Sequence, residues 1–140
     1  MSEIQIVDLK CQEFEKLKSK YQTFVQNIRM ISCHQENVWA KQDKRWSLAS
    51  LGADREGNIL FIFSEAPYPV HDINHLLLSL PLSIYNAMYL EGGPWASLYL
   101  SAAGVEFEKV GLYGIGLDES AVRPGAHAIP NVIGIVKKKN

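Results

Sequence analysis

The chain has 140 residues, of which 47% are hydrophobic and 21% are charged, proportions that fit a globular domain with an apolar core. With a formal net charge of −1 and an isoelectric point of about 6.4, it lacks the basic surface that nucleic acid or an anionic membrane would attract. The one basic run, at residues 137–139, is interpreted as a solvated tail. We expect a single domain over residues 1–140, with no nucleic-acid and no membrane partner.

The N-terminus has neither the basic segment nor the apolar segment of a leader. No run of roughly eighteen apolar residues occurs that could cross a bilayer. As written, the sequence predicts a cytoplasmic protein, and it would predict an exported one if a leader had been removed.

The two cysteines, Cys11 and Cys33, do not have CxxC spacing, and the four histidines are scattered, so no zinc pattern is present. We interpret both cysteines as free thiols, with a single disulfide as the alternative. No metal and no cofactor is expected.

An amphipathic helix is the first predicted element. Apolar residues recur every three to four positions between Cys11 and Val25, which is helical spacing. Glu13 and Glu15 precede three lysines, an order that the helix dipole favours. We expect the apolar stripe to face the core.

Strands are predicted next, over residues 29–33 and then 46–52. The second of these is followed by a polar loop at 54–58, in which Gly57 suits a left-handed conformation, and by a buried strand at 59–63. These features predict a β-hairpin.

A second helix is predicted over residues 70–80, where apolar residues have helical spacing and Pro81 ends the run. Its His71 and His75 have the i, i+4 spacing of a two-histidine metal site. Because no HExxH motif and no third ligand accompany them, we interpret them as a surface pair. The helix would join strands 59–63 and 86–90, which should be parallel, with a right-handed connection, if they are near neighbours in one sheet.

Residues 91–94, Glu-Gly-Gly-Pro, form a corner between two strand-like apolar runs. The alternation before the corner predicts that Glu91 ends a strand on the same face as Ala87 and Tyr89. An ordinary hairpin corner with a solvated Glu91 is the alternative.

The corner also carries groups that could meet a ligand. Gly92 and Gly93 can adopt positive φ and let a ligand approach the backbone, and Ser97 adds a hydroxyl at the start of the next strand. After this strand come a weakly alternating stretch at 102–116, a polar loop at 118–128 that contains Arg123, and an apolar run at 132–136 predicted to close a sheet. The elements together predict an α+β fold, with a mixed, mainly antiparallel sheet and two principal helices.

Four patches of the chain, in the same order, resemble the phosphodiester glycosidase family, which includes the uncovering enzyme that removes N-acetylglucosamine from mannose phosphate. Residues 87–99 resemble its Asn-Leu-Asp-Gly-Gly-Gly-Ser-Ser signature. The other patches are 26–31, similar to Gln-x-Gly-Pro-x-Leu, 51–61, similar to Gly-x-Asp-x-x-Gly-x-hydrophobic, and 129–135, similar to the family's closing strand.

The resemblance runs from about Tyr21 to Val136 and corresponds to the C-terminal half of the family, with residues 1–20 as a lead-in and helix. The family's upstream Asn-Gly-Gly-Met-Phe strand has no counterpart before Tyr21. This sequence also has Glu91 where many members have Asp, and Leu48 where an Arg often stands. Pro94 and Trp95 replace a Gly and a Ser of the signature.

The resemblance implies hydrolysis of a glycosyl phosphodiester, with a sugar phosphate as the ligand. Such a reaction needs a group that transfers a proton, and donors or cations that offset phosphate charge. It implies Glu91 as the catalytic residue. The implied substrate-binding residues are Gly92, Gly93, Ser97, Arg29, Arg123 and Asn131.

Two other functions stay open. One is a non-catalytic carbohydrate-binding or phosphate-binding module, and the other is a structural domain that retains only the fold. Because a short sheet leaves an edge that needs cover, we also expect a homodimer.

Overall fold

The computed structural model describes residues 4–112, 128–129 and 131–137. Its helices are α1 (Phe14–Lys18) and α2 (Val70–Ser79), and a short 3₁₀ helix spans Gly93–Trp95. The strands are β1 (Arg29–Ile31), β2 (Trp46–Asp54), β3 (Ile59–Tyr68), β4 (Ile84–Gly92), β5 (Ser97–Ala102) and β6 (Val105–Val110).

Four strands form the main sheet in the order β1-β4-β2-β3, and all of its neighbouring strands are antiparallel. Strands β5 and β6 form a separate antiparallel pair. The predicted α+β class is therefore confirmed. Strands β3 and β4, which α2 connects, run in the same direction as predicted, but β2 lies between them.

The β2–β3 hairpin has the predicted loop. Gly57 adopts a φ of 87°, the left-handed region that a residue without a Cβ enters easily. The Asp54 carboxylate accepts hydrogen bonds from the backbone N–H groups of Glu56 and Asn58, at 2.9 and 2.8 Å. Strand β3 differs from the prediction, since it continues to Tyr68 and is half-buried, with Phe61 39% exposed.

Helix α2 covers one face of the main sheet and forms the core with it. Its buried stripe consists of Val70, Ile73 and Leu77, at the spacing that places one helix face against a sheet. From the sheet and its flanks the core includes Met30, Ile31, Leu48, Ile84 and Ala87.

A buried amide fixes this helix over β1. Asn74 donates hydrogen bonds from Nδ2 to the carbonyl of Met30, at 2.7 Å, and to Oδ1 of Asn37, at 2.8 Å. Since a buried amide without partners would be destabilising, these bonds make the position of α2 specific.

The first helix is shorter than predicted. It spans only Phe14–Lys18 and buries no residue, so the expectation of a core-facing helix between Cys11 and Val25 is wrong. The apolar residues of the stripe contact one another instead: the ring of Phe24 lies 5.3 Å from that of Phe14 and 6.5 Å from that of Tyr21. A helix this short has few internal hydrogen bonds, and tertiary packing does not extend it.

The last apolar run also differs from the prediction. Residues 131–137 contain no strand, and Val132 and Val136 are 76% and 89% exposed, so this run closes no sheet among the described residues. Alternation of apolar residues is therefore insufficient here, because a strand also needs a neighbour whose hydrogen bonds it can complete.

Cys11 and Cys33 form a disulfide, with 6.4 Å between their Cα atoms. The interpretation of both as free thiols is therefore wrong, and the alternative holds. Sequence spacing of 22 residues does not reveal this contact, which depends on how the N-terminal segment (residues 4–12) lies against the residues after β1.

Within the described residues, no helix is both long enough and apolar enough to span a membrane.

Candidate functional site

The Glu-Gly-Gly-Pro corner joins the two sheets. Strand β4 ends at Gly92, the 3₁₀ helix follows, and β5 begins at Ser97 in the second sheet. The corner is thus a crossover between sheets rather than a hairpin. Gly111, the residue after β6, contacts the corner, since its N–H donates to the Ala96 carbonyl at 2.8 Å.

A β-bulge just before the corner changes the direction of Glu91. Tyr89 lies opposite Ser50, and Glu91 lies opposite Ala49, so two steps along β4 match a single step along β2. Because consecutive residues of a strand point to opposite faces, Glu91 and Tyr89 lie on opposite faces of the sheet. The prediction that Glu91 shares a face with Tyr89 and Ala87 is wrong, and the register puts it on the face of Met88.

The Glu91 side chain is exposed. Its Oε1 accepts a hydrogen bond from the N–H of Gly92, its neighbour, at 2.9 Å. None of the ion pairs within the described part of the chain involves Glu91. Its second oxygen, Oε2, is therefore available to solvent or to a ligand.

Both corner glycines have structural reasons to be glycine. A Cβ on Gly92 would lie 2.5 Å from Cδ1 and 2.6 Å from Nε1 of Trp46, and it would also meet the Tyr89 hydroxyl. Gly93 is buried and adopts a φ of 65°. Gly92 therefore permits close aromatic packing, and Gly93 permits the left-handed turn into the 3₁₀ helix.

Arg29 is brought to the same face as Glu91. It lies opposite Met88 in the β1–β4 pair, and Met88 and Glu91 lie opposite Leu51 and Ala49, alternate residues of β2. Strand geometry puts the Cα atoms of Arg29 and Glu91 roughly 8 Å apart.

The guanidinium of Arg29 already has a carboxylate partner. Its Nη1 lies 3.1 Å from both oxygens of Asp8. Burial raises the pKa of Asp8, but hydrogen bonds from the N–H groups of Lys10 and Cys33 and from Arg29 outweigh it, so the pKa falls below its ordinary value.

The other predicted ligand-binding residues are less closely grouped. Ser97 is half-buried and pairs with Val110 at the start of the β5–β6 hairpin. Asn131 is exposed, with no hydrogen bond to the corner among the described residues. Arg123 lies outside the described residues. The structure thus places Glu91 and Gly92 at the end of β4, with Gly93 next in the chain, and Arg29 on the same sheet face as Glu91, opposite Met88.

His71 and His75 share a helix face, as their spacing predicts, with ring centroids 4.6 Å apart. His71 is also 3.2 Å from a carboxylate oxygen of Asp72. The one set of three metal-ligating side chains found within the described residues lies elsewhere, at Cys11, Cys33 and His34.

Sequence reasoning missed a cavity of about 460 Å³ beside the N-terminal segment. Its polar lining comprises Gln5, Gln12, Gln35, Asp54, Arg55 and Tyr85. Tyr85 is near the start of β4, so strand geometry places this cavity roughly 17–20 Å from Glu91. No sequence motif indicates it, because its walls come from parts of the chain that are far apart in sequence: residues 4–12, Gln35, residues 53–59 and Tyr85.

The antiparallel sheet, the single covering helix and the corner that joins two sheets define an α+β domain with a polar site at one strand end. This chain matches the phosphodiester glycosidase family over residues 2–136, and it belongs to that family. The match begins at residue 2, so it covers most of the chain and is not limited to the C-terminal half of the family that the resemblance from Tyr21 onward implied. Comparison with curated proteins and with solved structures gave no match.

Proposed function

We propose that this domain hydrolyses a glycosyl phosphodiester at the corner after β4, with Glu91 as the proton-transfer group and Arg29 as the phosphate-binding cation. The observation that carries the proposal is that Glu91 and Arg29 share one sheet face in a chain of the phosphodiester glycosidase family.

The environment of Glu91 suits proton transfer at an open site. The Gly92 N–H holds one carboxylate oxygen, which leaves Oε2 to protonate a leaving oxygen or to accept a proton from water. An acid or base on an exposed strand end also leaves room for a bulky sugar.

Arg29 has N–H donors that do not bind Asp8 and could bind a phosphate. An arginine carries five N–H donors, and only Nη1 is engaged by Asp8. The side chain is 39% exposed, so its remaining donors are open to a ligand from solvent. Asp8 would then hold the guanidinium in position while the phosphate binds to it.

The test is turnover of a diester of N-acetylglucosamine 1-phosphate, measured as release of free sugar. We expect release by the wild type and at least a hundredfold slower release by Glu91→Gln, since a positioned acid or base contributes about 10²–10⁴-fold. Glu36→Gln is the matched control, because Glu36 is also an exposed glutamate, in the turn after β1. Equal rates for wild type and Glu91→Gln would disprove the catalytic role.

Binding without turnover is the second candidate. It is favoured by the engagement of both proposed groups within the protein, Glu91 with the Gly92 N–H and Arg29 with Asp8. Amide chemical-shift mapping with the same diester distinguishes the two. Shifts around residues 88–93 without sugar release would support the binding module, and neither shifts nor release would leave only a structural role.

The homodimer remains a prediction. In the described sheet, β3 and β1 are the outer strands, and an uncovered outer strand is a surface on which a second copy can pair. Light scattering across a concentration series tests this, and a monomeric mass at every concentration would contradict it.

A further inference from the structure

Three side chains with metal-binding chemistry meet beside the N-terminal segment, away from the corner. The donor atoms of Cys11, Cys33 and His34 all lie within 4.8 Å of one another. His34 follows Cys33 in the chain, but Cys11 is 23 residues away from His34, and its Sγ is 3.5 Å from Nε2 of that histidine.

The cysteine positions do not depend on the disulfide alone. The carbonyl of Asp8 accepts a hydrogen bond from the Cys11 N–H at 2.9 Å, and its Oδ2 accepts one from the Cys33 N–H at 3.1 Å. Asp8 is only 3% exposed and is itself held by Arg29. One buried residue therefore binds the backbones of both cysteines, and neither hydrogen bond involves a sulfur atom.

The spacing of the cysteines is also compatible with a metal ion between them. Zinc binds thiolate sulfur at about 2.3 Å and imidazole nitrogen at about 2.0 Å in a tetrahedral arrangement, which separates two sulfurs by about 3.8 Å. The Cα separation of 6.4 Å lies toward the wide end of the range for disulfides, so side-chain rotation alone can bring the sulfurs to this distance.

We propose that reduction of the Cys11–Cys33 disulfide converts this cluster into a Zn²⁺ site with Cys11, Cys33 and His34 as ligands. A dithiol reductant supplies two electrons and two protons, the sulfur–sulfur bond breaks, and the reductant becomes a disulfide. Zn²⁺ then displaces the two thiol protons and binds His34 through Nε2, with water as the fourth ligand.

The oxidised protein and the reduced, metal-bound protein would each connect Cys11 to the turn after β1, but by different bonds. When oxidised, the disulfide ties residue 11 to the turn after β1, and when reduced, the metal replaces that tie. In the reduced, metal-free protein, the hydrogen bond from the Cys33 N–H to Asp8 and the Arg29–Asp8 ion pair would still connect this segment to β1 and the turn after it. The cluster thus responds to both redox state and metal.

The test uses the full chain, reduced with dithiothreitol, freed of reductant without air, and titrated with Co²⁺ as a spectroscopic substitute for Zn²⁺. We expect one Co²⁺ per chain, with a sulfur-to-cobalt charge-transfer band that Zn²⁺ abolishes. The oxidised protein should show no such band.

Variants separate this site from the other histidines. Cys11→Ser should abolish the charge-transfer band, and His34→Gln should weaken binding at least tenfold while the band persists. The His71→Gln/His75→Gln double variant is the control and should bind like wild type. Loss of binding in that control, no binding by the reduced wild type, or an unchanged affinity in His34→Gln would each overturn the proposal. Because His34 is exposed, its variant stays informative even if Cys11→Ser does not fold.

Discussion

Arg29 and Asp8 form an ion pair in which one guanidinium nitrogen lies 3.1 Å from each of the two carboxylate oxygens. The pair is asymmetric, because Asp8 is 3% exposed and Arg29 is 39% exposed. It connects the N-terminal segment to the first strand of the main sheet, so Arg29 has a structural role whatever its role toward a phosphate.

Replacing Arg29 by alanine should lower the free energy of unfolding by about 1–3 kcal/mol, because a buried carboxylate would lose its cation. The upper part of the range for buried pairs is not expected, since Arg29 is partly solvated. Urea denaturation measures the change. Arg29→Lys should lower the free energy of unfolding less than Arg29→Ala does, because lysine keeps the positive charge. A change within about 0.5 kcal/mol for Arg29→Ala would show that the pair contributes little to stability.

Gly92→Ala should lower stability by about 1–3 kcal/mol, the usual effect of forcing an extra methyl group into a packed place. The methyl group would overlap the Trp46 ring and the Tyr89 hydroxyl. Gly134→Ala is the control, since a Cβ there meets nothing within 4 Å. Thermal unfolding of both variants checks the prediction, and equal midpoints would mean that Trp46 moves aside freely.

Gly93→Val should lower stability by about 1–3 kcal/mol, because a β-branched residue is strained at a φ of 65°. Gly104→Val separates strain from packing, because Gly104 has a φ of 80° and a Cβ added there would meet no atom within 4 Å. Since Gly93 is buried and its valine would also have to be packed, Gly93→Val should lower the free energy of unfolding more than Gly104→Val does. An unchanged melting midpoint for Gly93→Val would contradict the requirement for glycine.

The parts of the fold that the sequence predicts well are those with local signals. The β2–β3 hairpin has its polar loop and left-handed Gly57, and α2 has a continuous apolar stripe before Pro81. The length of helix α1 is overestimated from the sequence because its stripe has the right spacing but no surface to pack on. Periodicity indicates which face of an element is apolar and does not show whether anything covers it.

The candidate site is less predictable because it depends on register. One bulge between Tyr89 and Glu91 turns the carboxylate to the other face, and a simple count of alternating residues cannot include it. The same bulge is what puts Glu91 on the face of Arg29. The disulfide and the Arg29–Asp8 pair could not be predicted for a similar reason. Both are contacts between the N-terminal segment and residues more than twenty positions later, and no local sequence pattern indicates them.

The last prediction concerns pH and the loop of the β2–β3 hairpin. The Asn58 side chain donates to Asp54 at 2.7 Å and, with backbone N–H groups of the loop, lowers the pKa of Asp54 below its ordinary value although burial opposes this. A folded-state pKa below that of the unfolded chain means that the ionised carboxylate stabilises the fold above the unfolded pKa. This contribution is lost as the pH falls through the folded pKa.

We therefore expect wild type to be more stable than Asp54→Asn at neutral pH, and the difference between their melting midpoints to shrink below about pH 4, where aspartate begins to bind protons. Comparing the two proteins cancels the titration of other carboxylates, including Asp8, that they share. Asn58→Ala should reduce the same pH dependence, because it removes the side-chain N–H donor that favours the ionised form of Asp54. A difference that stays constant from pH 7 to about pH 2.5 would show that the charge of Asp54 does not stabilise the hairpin.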